Sequence, residues 1–419
     1  MSRKSTKARI FLVEPTFILK VGHVSQCTRL FASQAEANGY QVVIVVPKCA
    51  PTGTPVEMEF NLVRALPNTY ETFLVEGMRY RYNFQKIVSL LSRLLPKARR
   101  ERAKFFLERV HWYNHFSKAS IKTWESLDEI YKFNNKDRFV LPNADHLTTR
   151  SLIRYLKIKK IAQSPSVGLR FINVMENNAV PRLIQPNNLF KFLEKSKNYG
   201  IKINVAAETE GYRAFIGQFV TDTFICEYPQ NHEVKPRRSS SFPKKNFTVG
   251  SLGSARPDKG FTKLKGLVTR ILAAHGSKVK IVIQEGLTSW NTEYDLTLSE
   301  LRSYPQVTFL PGYLTQKEMQ NAVNECDVLL MPYDEPTYEF RGSAMLFEAA
   351  DLQIPILVPS RTGLGEVVRK YGIGATYTGE SDLNRALEVV LKLDSKILVA
   401  RFQEYNSQRK KNFKKLLIG

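Results

Sequence analysis

Two cations stand in a short segment that could bind a phosphate group. Residues 247–252 predict a strand, and the sequence GSARPDKG that follows it places Arg256 and Lys259 between two glycines. A guanidinium and an ammonium group can neutralise a diphosphate without a metal ion. Gly253 allows the tight turn that such a loop needs. The alternative interpretation is a polar surface turn with two solvated cations.

A second segment offers backbone amides and a carboxylate. It has the sequence RGSAMLFEAA and follows an apolar strand predicted over residues 327–331. Gly342 and Ser343 lie at the predicted start of a helix, whose free amides and dipole attract phosphate. Glu348 lies about 1.5 turns further along, where its carboxylate could accept hydrogen bonds from a ribose diol. A buried ion pair with an arginine is the alternative role for Glu348.

The motifs of several other enzyme classes are absent from the sequence. There is no P-loop, no GxGxxG at either first helix and no GxSxG. No two aspartates are separated by a single residue, so the chain has no DxD clamp for a metal–diphosphate complex. His111 and His115 have the spacing of metal ligands but no third ligand. We therefore expect neither a metal nor a cofactor.

The first half of the chain supplies weaker candidates, each after a predicted strand. Gly22 and His23 follow the first strand, where a histidine could polarise a hydroxyl or a phosphate; a surface histidine that caps a helix is the alternative. Asp145 could line the same edge or simply cap a helix N-terminus. Two further strand-like runs are followed by the last candidates, Arg170 and Glu208.

Both halves begin with a strand, a helix and a second strand. Their continuous Val, Ile and Leu runs are typical of parallel strands buried on both faces. In the first half these elements are expected at Arg9–Val13, 24–38 and Gln41–Val46. In the second half they are expected at Phe247–Leu252, Phe261–Ala274 and Lys278–Ile283. Two doubly wound parallel sheets explain this repetition better than one long sheet.

A stretch rich in Ser, Pro and charge, KPRRSSSFPKK at residues 235–245, is typical of an exposed linker. We predict an N-terminal domain over residues 1–240, a C-terminal domain over residues 246–394 and a helix over residues 395–419 that packs back on the first domain. A basic helical insertion is predicted over residues 85–118. It is either a domain helix with a solvated face or a helix that rests on an anionic membrane.

The composition of the chain excludes several classes of protein. Its 419 residues carry a net charge of +23 and are 43% hydrophobic, so it is not a disordered chain. No apolar run approaches the ~18 residues of a membrane-spanning helix. The cysteines are scattered without a CxxC pair, which is typical of a reducing compartment. The excess of cations, which includes those of Arg409–Lys415, indicates a nucleic acid, an anionic membrane or a phosphorylated substrate as partner.

The second half resembles the donor-binding lobe of GT-B glycosyltransferases, close to the retaining family four. The matching stretches, within residues 247–374, are VGSLGSARPDKGF, VTFLPGYLTQKEM, NECDVLLMPY, RGSAMLFEAADLQIPILVP, GLGEVV and YGIG. The first half matches more loosely, through its opening strand, the pair Gly22–His23 and GYQVVIVVP. The resemblance implies an α/β chain of two Rossmann-like, doubly wound domains that face a central cleft. It also implies a nucleotide-sugar donor in the second domain, an acceptor in the first, retention of configuration and no required metal.

The resemblance assigns roles to the donor-side residues. Arg256 and Lys259 would hold the donor diphosphate, and Glu348 would bind the ribose as the second glutamate of an E-x7-E motif. Gly342 and Ser343 would present amides to the phosphates. The remaining donor-binding candidates are Gly253, Gly312, which lies where that lobe cradles the base, Glu339 and Arg341.

The sequence departs from this family pattern at one position. The first glutamate of the motif would fall at Phe340, and Glu339 lies one residue earlier. Either the loop shifts so that Glu339 serves, or the role of the first glutamate is lost. The second possibility describes a GT-B-like binding or scaffold subunit without turnover.

From these residues we expect a glycosyltransferase that acts on a glycan or a lipid-linked saccharide. Its catalytic residues would be Arg256, Lys259 and His23, and it would be cytoplasmic and peripheral on the inner face of a membrane. An inactive binding subunit is the first alternative. A basic nucleic-acid-binding protein is the second, but no RNA or DNA motif supports it, so nucleic acid is not an expected partner.

Overall fold

The computed structural model describes residues 8–18, 20, 23–67, 96, 120–159, 165–172, 186–231, 245–287 and 291–418. The chain divides into two compact units. The first comprises Met1–Ala207, Arg213–Pro229 and Phe413–Gly419, and the second comprises Glu208–Tyr212 and Gln230–Asn412.

The first unit is built on a parallel sheet with helices between its strands. The strands are β1 Arg9–Val13, β2 Gln41–Pro47, β3 Asn61–Leu66, β4 Arg138–Leu141, β5 Ser166–Phe171, β6 Ile203–Ala207 and β7 Phe224–Ile225. They lie in the order β3-β2-β1-β4-β5-β6-β7, and each neighbouring pair is parallel. The helices are α1 His23–Ala37, α2 Pro55–Glu59, α3 His146–Lys159 and α4 Pro186–Lys197, and a further helix, α5 Glu210–Gly217, begins with residues of the second unit and ends with residues of the first.

Apolar side chains on both faces of the central strands form the core of this unit. Phe11 of β1 stacks on Phe139 of β4 with ring centroids 5.1 Å apart. Phe133 packs edge-on against both rings, at 5.0 and 4.9 Å. Strands buried in this way leave no face for polar chemistry, so reactive side chains are confined to the ends of the strands.

The second unit repeats the design with a six-stranded sheet. The strands are β8 Phe247–Ser251, β9 Val279–Gln284, β10 Val307–Leu310, β11 Val328–Leu330, β12 Ile356–Pro359 and β13 Gly374–Tyr377. Their order is β10-β9-β8-β11-β12-β13, again parallel throughout. The helices are α6 Leu264–His275, α7 Thr292–Arg302, α8 Gln316–Glu325, α9 Glu335–Tyr338, α10 Ala344–Leu352, α11 Gly363–Tyr371, α12 Leu383–Leu391 and α13 Ser395–Ile418.

Each sheet has one place where its strand order reverses direction. In the first sheet this topological switch point lies between β1 and β4, and in the second it lies between β8 and β11. Connections on the two sides of a switch point leave to opposite faces, which opens a crevice at the carboxyl ends of the strands. The residues after these four strands are therefore the ones that can meet a ligand.

The two doubly wound parallel sheets confirm the predicted fold class. The helix predicted over Phe261–Ala274 is shorter than expected: residues Phe261–Lys263 form a 3-10 turn and α6 begins at Leu264. The helix predicted over residues 395–419 is present as α13. The basic insertion over residues 85–118 lies outside the described residues, apart from Pro96, and so does nearly all of the linker at 235–245.

Candidate active site

The loop after β8 brings Lys259 close to the start of α10. Gly253 has a φ of +90°, and a Cβ at this position would lie 2.9 Å from Lys259 Nζ and 3.0 Å from Met345 Cγ. A larger residue would therefore push the lysine away. The amide of Gly253 also donates to Gln284 Oε1 at 2.7 Å, which fixes the turn against β9.

Lys259 is an unusually acidic lysine. Burial, and next the charge of nearby Arg256, lower the pKa of Lys259 to about 8, against the opposing effects of Asp258 and Glu348. Its ammonium group lies 5.8 Å from the ring centroid of Tyr333. An anionic ligand in contact with this lysine would favour its charged form and raise its pKa again.

Asp258 organises the arginines of the site. Its Oδ2 accepts from Arg256 Nη2 at 2.8 Å and from the hydroxyl of Tyr338 at 3.3 Å, and it lies 3.8 Å from Arg341 Nη1. Arg256 Nε is buried and meets no acceptor among the described residues. Arg256 and Arg341 thus converge on one carboxylate. Sequence reasoning missed Asp258, although its position between Arg256 and Lys259 was a usable signal.

Ser343 begins α10 as its N-cap. Its hydroxyl accepts from the amide of Met345 at 3.3 Å and lies 3.0 Å from the hydroxyl of Tyr333. Burial raises the pKa of Tyr333 to about 12, so its hydroxyl stays protonated. The helix N-terminus predicted for this segment is present, one residue after Gly342.

The amide of Gly342 is already engaged in this structure. It donates to Glu208 Oε2 at 2.9 Å, and a Cβ at Gly342 would lie 2.6 Å from Glu208 Cδ. Glu208, which the sequence suggested for the acceptor side, belongs to the second unit together with the donor candidates. A carboxylate thus sits on the amide that the resemblance assigns to phosphate.

Glu348 has a free hydrogen-bonding position. Its Oε2 is buried and receives no hydrogen bond from a described residue. Burial, and next the charge of Asp351, raise the pKa of Glu348 to about 7, and Lys259 opposes this shift. A ligand hydroxyl that donates to this oxygen would stabilise the charged carboxylate.

The C-terminal helix reaches the same region through a buried ion pair. Arg409 of α13 is only 1% exposed and donates to Asp351 Oδ1 at 2.7 Å. The amide of Asn231 donates to the other oxygen of Asp351 at 3.1 Å. The expectation that Arg409 belongs to an external basic stretch was therefore wrong, because this guanidinium neutralises a buried carboxylate.

Glu339 and Phe340, the residues at which the sequence departs from the family motif, differ in exposure and packing. Glu339 is exposed, whereas Phe340 packs near Tyr212 with ring centroids 6.0 Å apart. The carbonyl of Phe340 accepts from Thr209 Oγ1 at 2.9 Å. Residue 340 is thus fixed by packing and by its backbone.

Gly312 is tied to the loop after β8 through one side chain. Its carbonyl accepts from Gln284 Nε2 at 3.1 Å, and the same amide group binds the amide of Gly253 through Oε1. Gln284 was not singled out from the sequence. As the last residue of β9, it stands at the strand end where functional side chains gather.

The acceptor-side candidates of the first unit are only partly described. Gly22 and the side chain of His23 lie outside the described residues, and α1 begins at His23. Asp145 caps α3, since its Oδ1 accepts from the amides of Leu147 and Thr148 at 2.7 and 2.8 Å. Arg170 is fully buried.

Glu14, which was not singled out from the sequence, is fully buried after β1. It accepts from the backbone amide of Thr16 at 3.0 Å and from Asn143 Nδ2 at 2.6 Å. The carboxyl ends of β1 and β4 are therefore joined by a side-chain hydrogen bond. The strand ends were the signal that could have pointed to both residues.

The described residues offer neither a metal-binding cluster nor a membrane-spanning helix. No group of three or more His, Cys, Asp or Glu side chains there could hold a metal ion. His111 and His115 lie outside that part of the chain. No helix in the described ranges is long and apolar enough to cross a bilayer.

Comparison with known proteins gives a family-model match in the second half of the chain and a similarity of fold over the whole chain. Residues 234–409 match the family model described as glycosyl transferases group 1. No curated protein matches the sequence.

Three solved structures show the similarity of fold. WaaG, a glycosyltransferase involved in lipopolysaccharide biosynthesis, is 13% identical with a TM-score of 0.53 over 98% of each chain. Sucrose-phosphate synthase from Thermosynechococcus elongatus is 12% identical with a TM-score of 0.60, over 98% of this chain and 96% of that one. A glycosyltransferase from Rickettsia africae is 10% identical with a TM-score of 0.60, over the same shares.

Proposed function

We propose that the chain, which has the GT-B fold and whose residues 234–409 match a glycosyltransferase family model, transfers a sugar from a nucleotide-sugar donor to an acceptor hydroxyl with retention of configuration. Glycosyl transfer itself is supported by the match of residues 234–409 to the family model and by the fold. The observation that supports the donor class is the grouping of Arg256, Lys259 and Glu348 at the β8/β11 switch point.

A diphosphate at this switch point would meet cations that are fixed before it arrives. Asp258 holds Arg256 in place, and Gly253 leaves the space that Lys259 occupies. Negative charge accumulates on the diphosphate as its bond to the sugar breaks. Donors aimed at that charge stabilise the transition state more than the ground state. With two such cations, the leaving group needs no metal ion.

The retaining step is proposed to take place on one face of the sugar. The bond from the anomeric carbon to the leaving diphosphate breaks, and the acceptor oxygen bonds to that carbon on the same face. The proton of the acceptor hydroxyl passes to a phosphate oxygen of the leaving group. This route needs no carboxylate nucleophile from the protein.

Glu348 is proposed to bind the donor ribose. Its buried Oε2 receives no hydrogen bond from a described residue and can accept one from a hydroxyl group. Glu348 lies on α10, the helix that Ser343 caps. A ribose diol would satisfy this oxygen and favour the charged carboxylate that binds it best.

The proposal is tested by a thermal-shift screen of UDP-, GDP-, ADP- and CMP-sugars. A ligand at 100 times its Kd stabilises a protein by about 2.7 kcal/mol, which is a readable shift. We expect one nucleotide class to raise the Tm of the wild type and of Lys263→Ala, but not that of Lys259→Ala. Lys263 is the matched control because it is an exposed lysine of the next turn, paired with Asp334. Equal shifts in all three proteins would remove the donor site from this switch point.

A second candidate function is nucleotide-sugar binding without turnover. It is favoured by Phe340 at the position of the motif glutamate and by the engaged amide of Gly342. Slow hydrolysis of the bound nucleotide sugar by the purified protein would support the transferase. Binding with neither hydrolysis nor transfer, and activity gained only in Phe340→Glu, would support the binding subunit.

The acceptor is proposed to be a glycan or a lipid-linked saccharide at a membrane surface. WaaG, to which the chain is similar in fold, is involved in lipopolysaccharide biosynthesis, and this makes such acceptors the first to test. Helix α13 carries exposed lysines on neighbouring turns, namely Lys410, Lys411, Lys414 and Lys415. Clustered lysines each add roughly 1 kcal/mol at an anionic surface.

Cosedimentation with phosphatidylcholine vesicles, with and without phosphatidylserine, checks this membrane proposal. We expect binding that requires phosphatidylserine, weakens with salt and weakens again when the four lysines are replaced by glutamine. A protein that ignores such vesicles at low salt is not a peripheral membrane protein of this kind.

A further inference from the structure

The amide of Gly342, just before α10, is occupied by a carboxylate of the chain itself. It donates to Glu208 Oε2 at 2.9 Å, and Glu208 is only 3% exposed. A Cβ at Gly342 would lie 2.6 Å from Glu208 Cδ and 2.8 Å from its Cγ, so the side chain lies directly against the backbone. Since a backbone amide has a single hydrogen to donate, a ligand oxygen can take this amide only after Glu208 has left it.

Two other polar groups of the second switch point have no such partner. Arg256 Nε and Glu348 Oε2 are buried, and neither makes a hydrogen bond with a residue that the structure describes. Because buried polar atoms are normally satisfied, these two groups indicate a ligand. The amide of Gly342 differs from them, since an anionic group of the protein already occupies the start of a helix, where a phosphate would also bind.

Glu208 belongs to a short segment, Glu208–Tyr212, which other hydrogen bonds hold in place within the second unit. Thr209 Oγ1 donates to the carbonyl of Phe340 at 2.9 Å, and the amide of Gly211 donates to Glu366 Oε2 at 3.1 Å. These bonds do not involve the carboxylate of Glu208. The carboxylate can therefore leave the amide of Gly342 by rotation of its own side chain, while the segment stays in place.

We propose that Glu208 is an internal competitor for the donor phosphate: it occupies the amide of Gly342 in the ligand-free protein and leaves it when a phosphate group binds. The contact is autoinhibitory, because a carboxylate and a phosphate repel each other at one amide. A competitor that holds the amide in about 90% of the molecules raises the apparent Kd of the ligand about tenfold. The inference rests on the proposed function, since it concerns the same donor site.

Titration calorimetry of the full chain with inorganic pyrophosphate tests the competition without a nucleotide or a sugar. Glu208→Gln removes the competing charge, so we expect its Kd to be about tenfold lower than that of the wild type. Glu300→Gln is the matched control, because it removes the same charge from an exposed ion pair with Lys265 in the same unit. Its Kd should stay within about twofold of the wild type.

Three results of this titration would overturn the inference. The Kd of Glu208→Gln could equal or exceed that of the wild type, in which case Glu208 does not compete with the ligand. The Kd could fall equally in Glu208→Gln and Glu300→Gln, which would be an effect of net charge alone. Pyrophosphate could also bind to none of the three proteins.

Glu208→Asp separates the contact from the charge. It keeps the carboxylate but shortens the side chain by one methylene, so the oxygen no longer reaches the amide of Gly342. We expect the Kd for pyrophosphate to fall about fivefold, because the amide is then open to the ligand. If Glu208→Asp binds pyrophosphate like the wild type, the hydrogen bond to Gly342 does not limit binding, and the inference is overturned. Pyrophosphate carries neither nucleotide nor sugar, so failure of the nucleotide-sugar screen and failure of this inference are distinguishable.

Discussion

The two switch points share one topology and differ in charge. After β8 and β11 the chain places Arg256, Lys259 and the amide end of α10. After β1 and β4 it places Glu14 and Asn143, with Asp145 at the next helix. Among the residues that the structure describes, the parallel-sheet crevice therefore presents mainly hydrogen-bond donors in one unit and mainly acceptors in the other.

If the proposed function is correct, this difference explains how a repeated fold can bind two different substrates. The sheet determines where a ligand can bind, because buried strands leave only their carboxyl ends for polar side chains. The residues of the loops then decide which ligand binds: cations suit a diphosphate, and carboxylates with an amide suit sugar hydroxyls.

The largest expected effect comes from replacing Arg409, because its positive charge balances the negative charge of the buried Asp351. Arg409→Met leaves Asp351 buried without its cation and should lower the free energy of unfolding by about 3–5 kcal/mol, measured by urea denaturation. The uncompensated Asp351 would also raise the pKa of Glu348 further, since their charges repel. Nucleotide-sugar binding should therefore weaken more than the loss of folded protein explains.

The double variant Arg409→Met/Asp351→Asn is the control for this ion pair. It removes both charges, so we expect it to regain much of the stability that Arg409→Met loses. If the double variant is as unstable as the single one, packing of the arginine, and not its charge, holds α13 in place.

Lys259→Ala should have the next largest effect, on transfer. Removing a fixed cation that faces the leaving diphosphate should lower kcat/KM at least ~100-fold, by analogy with the loss of one oxyanion donor. Lys263→Ala should stay within about threefold of the wild type, because its exposed ion pair contributes little. Near-normal rates for Lys259→Ala would show that this cation does not stabilise the leaving diphosphate.

Much of this contrast could be predicted from the sequence, and the rest depends on distant contacts. Arg256, Lys259 and Glu348 could be singled out as candidates because apolar runs locate strand ends and helix starts. The hydrogen bond between Glu14 and Asn143 joins residues 129 apart, and that between Gly342 and Glu208 joins residues 134 apart. Such pairings follow from strand order, which no local pattern reveals.

The same reason explains the error at Arg409. A run of cations on a helix looks like a solvated face, and only the position of Asp351 distinguishes the buried arginine from its exposed neighbours.

The pH dependence of donor binding should reflect the lowered pKa of Lys259. The lysine is charged below about pH 8 and neutral above it, so affinity for the nucleotide sugar should fall above pH 8 by up to ~10-fold per unit. Titration calorimetry from pH 6 to pH 10 measures this fall in affinity. Lys259→Arg keeps its charge throughout, so its affinity should not fall in this range. A wild-type affinity that is flat above pH 8 would contradict the role of Lys259.

The smallest expected effect is that of Glu348→Gln, which keeps the shape of the side chain and removes its charge. The loss of a charge-assisted hydrogen bond to the ribose should weaken nucleoside diphosphate binding about fivefold. The pKa of Glu348 is raised to about 7, so wild-type affinity should also fall below pH 7 as the carboxylate becomes protonated, and the variant should lose this limb. A 2′,3′-dideoxy analogue isolates the contact, because it lacks both hydroxyls. The wild type should prefer the ribonucleotide and the variant should not. An equal preference in both proteins would show that Glu348 does not contact the ribose and that only the cations of this site bind the donor.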